Sequence, residues 1–172
     1  IQEFNCVRKH LSQIKGGRLV ENIACDAISL IMSDVVGDDL SSISSGTTYC
    51  DDTTFSDALK IIKKYKLEKK FPDVVLDRFA NGIKGNIPET PKKPSIQNKI
   101  IANNKNCIDA MVKKATDLGY STRTISTSGN IKDVTHLIKQ NIPSKEKSCL
   151  IFGGEPTVEV IGNGKWRRKQ EL

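Results

Sequence analysis

The sequence lacks any long apolar segment. None of its 172 residues lies in a run of eighteen hydrophobic side chains, the length that a membrane-spanning helix needs. The most hydrophobic stretches, 27–32 and 149–152, have the length of buried strands. Residues 1–14 mix charged and apolar side chains, unlike a signal peptide. We therefore expect a cytoplasmic protein without a membrane partner.

Closely spaced cysteines and abundant histidines are also missing. The five cysteines lie far apart, no C-x-x-C pair occurs, and only two histidines could join them as metal ligands. This spacing argues against a zinc site and against a disulfide framework. We interpret the cysteines as reduced thiols, and we expect four of them to be small buried hydrophobic residues, namely Cys6, Cys25, Cys107 and Cys149.

Two common nucleotide-binding signatures are absent as well. No G-x-G-x-x-G follows a strand, which counts against a nicotinamide dehydrogenase. The segment 162–165 resembles part of a phosphate loop, but Glu159 stands where the first glycine belongs and Trp166 follows the lysine. This segment is therefore not a Walker motif.

What the sequence does have is an excess of positive charge. Its 27 lysines and arginines outnumber its 20 acidic residues, giving a net charge of +7. The lysines between positions 60 and 70 interleave with apolar residues, as on the solvated face of a helix. Because the charge is scattered, we expect anionic small molecules as ligands rather than nucleic acid.

Helical and strand patterns alternate along the chain. Helices are predicted by apolar spacing, with Phe4, Val7, Leu11 and Ile14 forming the apolar stripe of the first. The predicted helices cover 4–14, 55–65, 71–79, 105–118 and 131–141, and the predicted strands cover 26–36, 98–102, 121–127, 149–152 and 157–161. Since parallel strands need crossover connections, we expect an α/β fold with a mostly parallel, Rossmann-like sheet and helices on both faces.

Three carboxylates follow the strand predicted over 26–36. Asp34 stands at its exit, and Asp38 and Asp39 come next in a segment that contains Gly37. Ligands of parallel sheets bind beyond the carboxyl ends of the strands, where a carboxylate can hold Mg²⁺ or orient a hydroxyl. Asp34 and Asp38 are therefore candidates for these two roles, while capping of a turn is the alternative for Asp38 and Asp39.

Two segments have compositions suited to an anion. Residues 41–48 present hydroxyls and backbone N–H groups around a glycine, with Ser45, Gly46 and Thr48 as the candidate ligands. Lys15 and Arg18 flank a glycine pair where a second helix could begin. Surface loops and a helix C-cap are the alternatives that these patterns leave open.

Five motifs in order resemble the glycerate 2-kinases of the MOFRL family, whose older label is hydroxypyruvate reductase. They are 7–19 with its glycine pair, 33–40 at the strand exit, the loop 44–55, the Glu-Thr-Pro-Lys segment 89–92, and the Gly-Gly-Glu-Pro-Thr-Val segment 153–158. The resemblance covers essentially the whole chain. It implies residues 1–147 as part of a Rossmann-like N-terminal domain and residues 148–172 as the start of a MOFRL domain.

The resemblance implies ATP-dependent phosphorylation of D-glycerate at its 2-hydroxyl with Mg²⁺. Arg168 matches the family's presumed catalytic arginine, although the two glycines and the asparagine around it are replaced, and Glu155 follows a glycine pair at a strand end. The family's Gly-Lys-Ala motif, whose lysine is thought to be catalytic, does not occur in this sequence. We therefore expect an incomplete enzyme, with homodimerisation left open.

Two other classes of function stay open at this point. One is an oxidoreductase of the hydroxypyruvate reductase type, against which the missing dinucleotide motif argues. The other is a non-catalytic binding fragment that keeps ligand or subunit contacts. Assays of NADH oxidation and of ligand binding distinguish the two from a kinase.

Overall fold

The computed structural model describes residues 1–143 and 146–159. The chain divides into two compact units, Ile1–Ile101 and Ala102–Leu172. Each unit is built from helices and strands, so the mixed α/β class expected from the sequence is confirmed. No helix in these residues is long and apolar enough to cross a membrane.

The first unit contains three helices and a pair of strands. The helices are α1 (Gln2–Leu11), α2 (Phe55–Lys64) and α3 (Asp73–Ile83), and the strands are β1 (Ile28–Met32) and β2 (Gln97–Ala102), whose last residue belongs to the second unit. Short 3-10 turns occur at Arg18–Val20, Ile43–Ser45 and Glu68–Lys70. β1 and β2 form a two-stranded sheet in the described residues.

The core of this unit lies among its three helices. Phe55, Ala58 and Ile62 of α2 are buried against Cys6 of α1 and Phe79 of α3. The α2 helix begins where the sequence predicts, because of a capping box. The Thr54 side chain accepts a hydrogen bond from the Asp57 N–H, and the Asp57 carboxylate accepts one from the Thr54 N–H. Gly82 is buried in α3, where a Cβ would lie 2.2 Å from Cγ of Phe55.

The buried face of α1 is polar, contrary to the predicted apolar stripe. Asn5, Cys6, Lys9 and His10 are its buried residues, while Phe4 is exposed. Val7 and Leu11 pack only at the margin of the core. The buried face of α1 therefore packs against polar groups elsewhere in the first unit, among them Asp51 and Glu89.

The apolar composition of strand β1 predicts burial on both faces, but one face of the strand is exposed. Ile28, Leu30 and Met32 point to one face and are 61%, 63% and 75% exposed. The strand is also shorter than the predicted 26–36, since it ends before the acidic segment.

The second unit contains a parallel strand pair. β3 (Ser121–Thr127) pairs with β4 (Ser148–Gly154) from Ser121 opposite Ser148 to Thr127 opposite Gly154. Helix α5 (Ile131–Asn141) connects the two strands, and α4 (Asn104–Asp117) packs on both. These bounds agree with the predicted alternation of helices and strands.

Two details differ from the sequence-based expectations. Cys25 and Cys107 are exposed, so only Cys6 of the four cysteines is fully buried as expected. The strand predicted over 157–161 is reduced to a single bridge between Thr157 and Asn130, and residues 160–161 lie outside the described residues. The domain boundary expected after residue 147 stays a prediction.

Candidate functional site

The serine-rich loop folds directly onto the glycine pair. The Gly16 N–H donates to the Ser45 carbonyl at 3.0 Å, and the Gly17 N–H donates to the Gly46 carbonyl at 2.7 Å. Lys15 adds its Nζ, which donates to the Ser44 carbonyl at 3.2 Å. Two segments that the sequence marks independently as anion-binding candidates therefore pack against each other, and the four residues joined by these backbone bonds are buried.

The loop is held in an unusual backbone conformation. Ser44, Ser45 and Gly46 are consecutive residues with φ of 50°, 60° and 62°. Serine in the left-handed region is strained, and such strain is common at functional sites. Gly46 also lacks room for a side chain, since a Cβ would lie 3.0 Å from the Ser41 carbonyl oxygen. The loop therefore depends on its neighbours for its shape.

Asn5 of α1 is hydrogen-bonded to this loop through both polar atoms of its side-chain amide. Its Oδ1 accepts a hydrogen bond from the Ser45 hydroxyl at 3.0 Å, and its Nδ2 donates to the Ser42 carbonyl at 3.4 Å. Asn5 and Ser45 are both buried. The hydroxyl of Ser45, a predicted ligand, is thus bonded to the protein, and the Ser45 and Gly46 N–H groups donate within the loop to the Ser42 and Ile43 carbonyls.

The Thr48 side chain is likewise hydrogen-bonded within the protein. Its hydroxyl lies 3.0 Å from the Ser29 hydroxyl on β1 and 2.7 Å from Oδ1 of Asn98 on β2. The Thr48 carbonyl accepts from Nδ2 of Asn98. This residue therefore joins the loop to the strand pair, and a direct ligand role for its hydroxyl stays a prediction.

A buried ion pair lies behind the loop. Nζ of Lys9 is 3.1 Å from Oδ1 of Asp51, and both side chains are almost fully buried. Asp51 also accepts from the Thr53 N–H, the Thr53 hydroxyl and the Thr90 hydroxyl. Burial raises the pKa of Asp51, but the Lys9 charge and the Thr53 bonds outweigh it and leave the pKa below its usual value. Asp51 is therefore a charged structural centre.

Lys92 joins the same network from the Glu-Thr-Pro-Lys segment. Its Nζ donates to the carbonyls of Asp51 and Thr53 at 3.0 and 2.6 Å and lies 3.4 Å from the Thr90 hydroxyl. Lys9 and Lys92 thus bring two positive charges to one buried carboxylate. Lys92 therefore joins the Glu-Thr-Pro-Lys segment to the residues around Asp51.

His10 and Glu89 form a second polar contact behind the loop. Nδ1 of His10 lies 2.8 Å from the Cys6 carbonyl, and Nε2 lies 3.2 Å from Oε2 of Glu89. Glu89 accepts in addition from the Phe55 N–H at the start of α2. The two nitrogens of the His10 ring therefore join α1 to the Glu-Thr-Pro-Lys segment and, through Glu89, to the start of α2.

Arg18 is turned toward the protein. One guanidinium nitrogen donates to the Pro88 carbonyl at 2.9 Å, and another lies 3.9 Å from Glu21. Its Nε is buried and has no hydrogen-bond partner among the described residues. The predicted role of Arg18 as a phosphate or carboxylate ligand stays a prediction, because two of its nitrogens already contact the fold.

The acidic segment after β1 divides into two kinds of carboxylate. Asp39 accepts from the Ser42 and Ser41 hydroxyls and the Ser41 N–H, which lower its pKa, so it caps the turn as one alternative predicted. Asp34 is exposed and Asp38 is half-buried with φ of 55°. Within residues 1–143 and 146–159 no group of three or more acidic, histidine or cysteine side chains could hold a metal. Asp38 as a metal ligand stays a prediction.

The last two predicted residues are Glu155 and Arg168. Glu155 follows β4 in the second unit, beyond Gly154, whose φ is 148°. Arg168 lies outside the described residues. Their membership in a common site stays a prediction.

Sequence reasoning missed the polar network that supports the loop. Asn5, Lys9 and His10 were hidden by the apolar spacing of α1, and Asp51 was named only as part of a motif. The available signal was the pairing of polar residues at positions 5 and 9, which lie on one face of a helix. The network connects α1 and residues 89–92 to Asp51, which lies in the loop motif 44–55.

These features define an α/β segment that holds a strained, hydroxyl-rich loop beside the positively charged side chain of Lys15. Its first 80 residues match the family described as "Domain of unknown function (DUF4147)". The chain is 38% identical to glycerate 2-kinase of Pyrococcus horikoshii over 95% of this chain and 40% of that protein. It is 36% identical to D-glycerate 2-kinase of Thermotoga maritima over all of this chain and 42% of that protein.

The fold agrees with this relationship. A solved structure of glycerate kinase from Thermotoga maritima superposes with a TM-score of 0.71 at 35% identity, covering 99% of this chain and 42% of that one. The chain is therefore similar in sequence and in fold to part of the glycerate 2-kinases, as its motifs predict. It spans about two fifths of the length of these relatives.

Proposed function

We propose that this chain provides part of the site of a glycerate 2-kinase, which transfers the γ-phosphoryl group of ATP to the 2-hydroxyl of D-glycerate. The products are 2-phosphoglycerate and ADP, and the hydroxyl proton leaves the oxygen that is phosphorylated. Mg²⁺ accompanies ATP in this proposal, and no step is assigned to it. A cytoplasmic location is part of the same proposal.

The observation that carries the proposal is the pairing of Gly16 and Gly17 with Ser45 and Gly46. Phosphoryl transfer depends chiefly on positioning and electrostatics, so a rigid loop beside cations is the kind of element that it needs. Lys15 contacts the loop directly and is the cation that we assign to a phosphate or carboxylate group of the ligands.

The remaining roles follow from position and charge. Asp34 is exposed at the exit of β1, where a carboxylate can orient the glycerate hydroxyl or accept its proton. Arg168 and Glu155 complete the proposal as the residues that match the family's motifs. Because the Gly-Lys-Ala motif of the family does not occur in the sequence, we expect little turnover by this chain alone.

Calorimetric titration of the chain with ATP, D-glycerate and 2-phosphoglycerate tests the assignment of the loop. Gly46→Ala should abolish binding of phosphorylated ligands, since its φ of 62° and a backbone oxygen 3.0 Å from the added Cβ both oppose alanine. Gly85→Ala is the matched control, because Gly85 has a φ of 80° with open space around it. Equal binding by both variants, or no binding by the unmodified chain, would contradict the assignment.

Two activity assays test the reaction class. ADP release from ATP and D-glycerate is expected to be close to background, and robust turnover would refute the expected incompleteness. Oxidation of NADH with hydroxypyruvate is expected to be absent. Observed oxidation would favour the reductase alternative over the kinase.

A further inference from the structure

The guanidinium of Arg18 has a hydrogen-bond donor that the fold leaves unused. The Arg18 side chain is only 10% exposed, and its Nε is buried without a hydrogen-bond partner. No other buried side-chain nitrogen or oxygen in residues 1–143 and 146–159 lacks a partner. An unpaired buried donor on a charged group is costly, so its retention calls for a physical reason. A ligand that supplies the missing acceptor is such a reason.

The surrounding structure fixes the position of this donor. One terminal nitrogen of Arg18 donates to the Pro88 carbonyl at 2.9 Å. The preceding residue, Gly17, has a φ of 85°, and a Cβ there would lie 3.0 Å from the Tyr49 carbonyl oxygen and 3.4 Å from Cβ of Pro91. The backbone that leads to Arg18 is thus closely packed, and the guanidinium is oriented by a contact within the protein. A ligand therefore meets a donor that is already in place.

A carboxylate of the protein lies close to the same guanidinium, but too far away for a hydrogen bond. Oε2 of Glu21 is 3.9 Å from the second terminal nitrogen of Arg18, and the Glu21 side chain is 37% exposed. An ion pair at this distance and exposure is weak, because water competes for the carboxylate. Glu21 therefore supplies a counter-charge that another carboxylate can displace.

The shape of a guanidinium favours a planar acid as this ligand. Nε–H and the N–H beside it form a rigid fork that matches the two oxygens of a carboxylate, and the opposite charges shorten and strengthen both bonds. Phosphate fits such a fork as well. The Glu21 carboxylate beside Arg18 shows that the surroundings accommodate a carboxylate, so we assign the fork to that group.

We propose that Arg18 binds the carboxylate of a small hydroxy acid, which displaces Glu21 and accepts a hydrogen bond from Nε of Arg18. In the proposed function this acid is D-glycerate, and the choice of this acid is the only point at which the inference rests on that function. Arg18 then selects an acid over a neutral polyol. Glu21 acts as an internal competitor that lowers the affinity.

The Nε–H proton of Arg18 reports directly on this contact. Because Nε is shielded from water, its proton should give a signal in a proton–nitrogen correlation spectrum of the chain, identified by its loss in Arg18→Lys. Excess D-glycerate should move this signal downfield, since the proton enters a charge-assisted hydrogen bond. Glycerol, which has the hydroxyls without the carboxylate, should leave it in place. An unmoved signal with D-glycerate, or an equal shift with inorganic phosphate, would overturn the proposal.

Calorimetric titration of variants with D-glycerate gives the second readout. Arg18→Lys should weaken binding about tenfold or more, since lysine keeps the charge but lacks the planar fork. Arg78→Lys is the matched control, because Nε of Arg78 donates to the His10 carbonyl at 2.8 Å, and this variant should keep the affinity. Equal losses in the two variants would overturn the proposal.

Glu21→Gln keeps the test decisive if Arg18→Lys does not fold. Removal of the competing carboxylate should strengthen D-glycerate binding by roughly two- to fivefold, the range expected for a solvated ion pair. Unchanged or weaker binding would overturn the proposal.

The two proposals fail in different ways. Binding of D-glycerate that depends on Arg18, without any binding of ATP, would refute the kinase assignment and leave the carboxylate site intact. Binding of both ligands that is unaffected by Arg18→Lys would overturn this inference alone.

Discussion

Removal of the Asp51 carboxylate should be the most damaging single change in the first unit. Asp51→Ala leaves the Lys9 ammonium buried without its partner and removes the acceptor of the Thr53 N–H and the Thr90 hydroxyl. Breaking a buried ion pair on one side costs about 3–5 kcal/mol. Since small domains are stable by only about 5–15 kcal/mol, the variant should lose about a fifth or more of its unfolding free energy.

Urea unfolding followed by circular dichroism measures this loss. Asp52→Ala is the matched control, because Asp52 is the neighbouring carboxylate and is exposed, so its change should stay within about 0.5 kcal/mol. A loss below about 1 kcal/mol for Asp51→Ala would show that the pair behaves like a surface salt bridge and would refute the reasoning.

The double variant separates the pair from the rest of the network. Lys9→Met alone leaves Asp51 with its bonds from Thr53 and Thr90, so it should cost less than Asp51→Ala. In combination the two changes should be less than additive by about 0.5–3 kcal/mol, because the second change removes a charge that has already lost its partner. Additive losses would mean that the two residues act independently.

The same carboxylate should make the unit sensitive to acid. The pKa of Asp51 is lower in the folded state than its ordinary value of 3.8. Its contribution is therefore present above that value and is lost as the pH falls below about 4, through the folded pKa. The difference in unfolding free energy between wild type and Asp51→Ala should shrink between pH 5 and pH 2.5, as measured by urea titrations. A constant difference would contradict this assignment.

Two further substitutions and one labelling experiment test other parts of the structure. Gly82→Ala should destabilise the protein by about 1–3 kcal/mol in urea unfolding, because the added Cβ would lie 2.2 Å from Phe55. Thr54→Ala should cost about 1 kcal/mol in the same assay through loss of the cap of α2. Cys25 is exposed and should react rapidly with a thiol reagent, whereas burial raises the pKa of Cys6, which should react only on unfolding.

Elements with strong local signals were predictable from the sequence. The start of α2 follows from Thr54 and Asp57, and the structure shows the reciprocal bonds of the capping box. β3 and α5 have the predicted bounds because a segment rich in β-branched residues, three threonines and Ile125, is followed by helical spacing with polar residues between them. Such signals are confined to a few neighbouring residues and do not depend on the rest of the fold.

The orientation of α1 could not be predicted in this way. Apolar spacing pointed to Phe4 and Leu11, but the buried face carries Asn5, Lys9 and His10. A buried lysine is tolerated only when paired, and the partner Asp51 lies 42 residues further along the chain. The information that decides this orientation is therefore non-local.

The candidate site shows the same division between composition and contacts. The sequence indicated a hydroxyl-rich loop and, separately, a glycine pair between two cations, and the structure brings the two together. Composition could not reveal that the Ser45 hydroxyl donates to Asn5 or that Thr48 joins the strands. Which hydroxyl faces a ligand depends on which ones the fold has already used.

The strain in the loop explains why so much polar structure is gathered behind it. Two serines in the left-handed region cost about 1–2 kcal/mol each, so the turn would relax if it were exposed alone. Five hydrogen bonds from Asn5, Lys15, Gly16 and Gly17 hold it, and at about 1 kcal/mol each they offset this strain. The loop is thus ordered by bonds within the protein itself. A loop that is already ordered loses little entropy on binding, which is the property that positioning of a phosphoryl group requires.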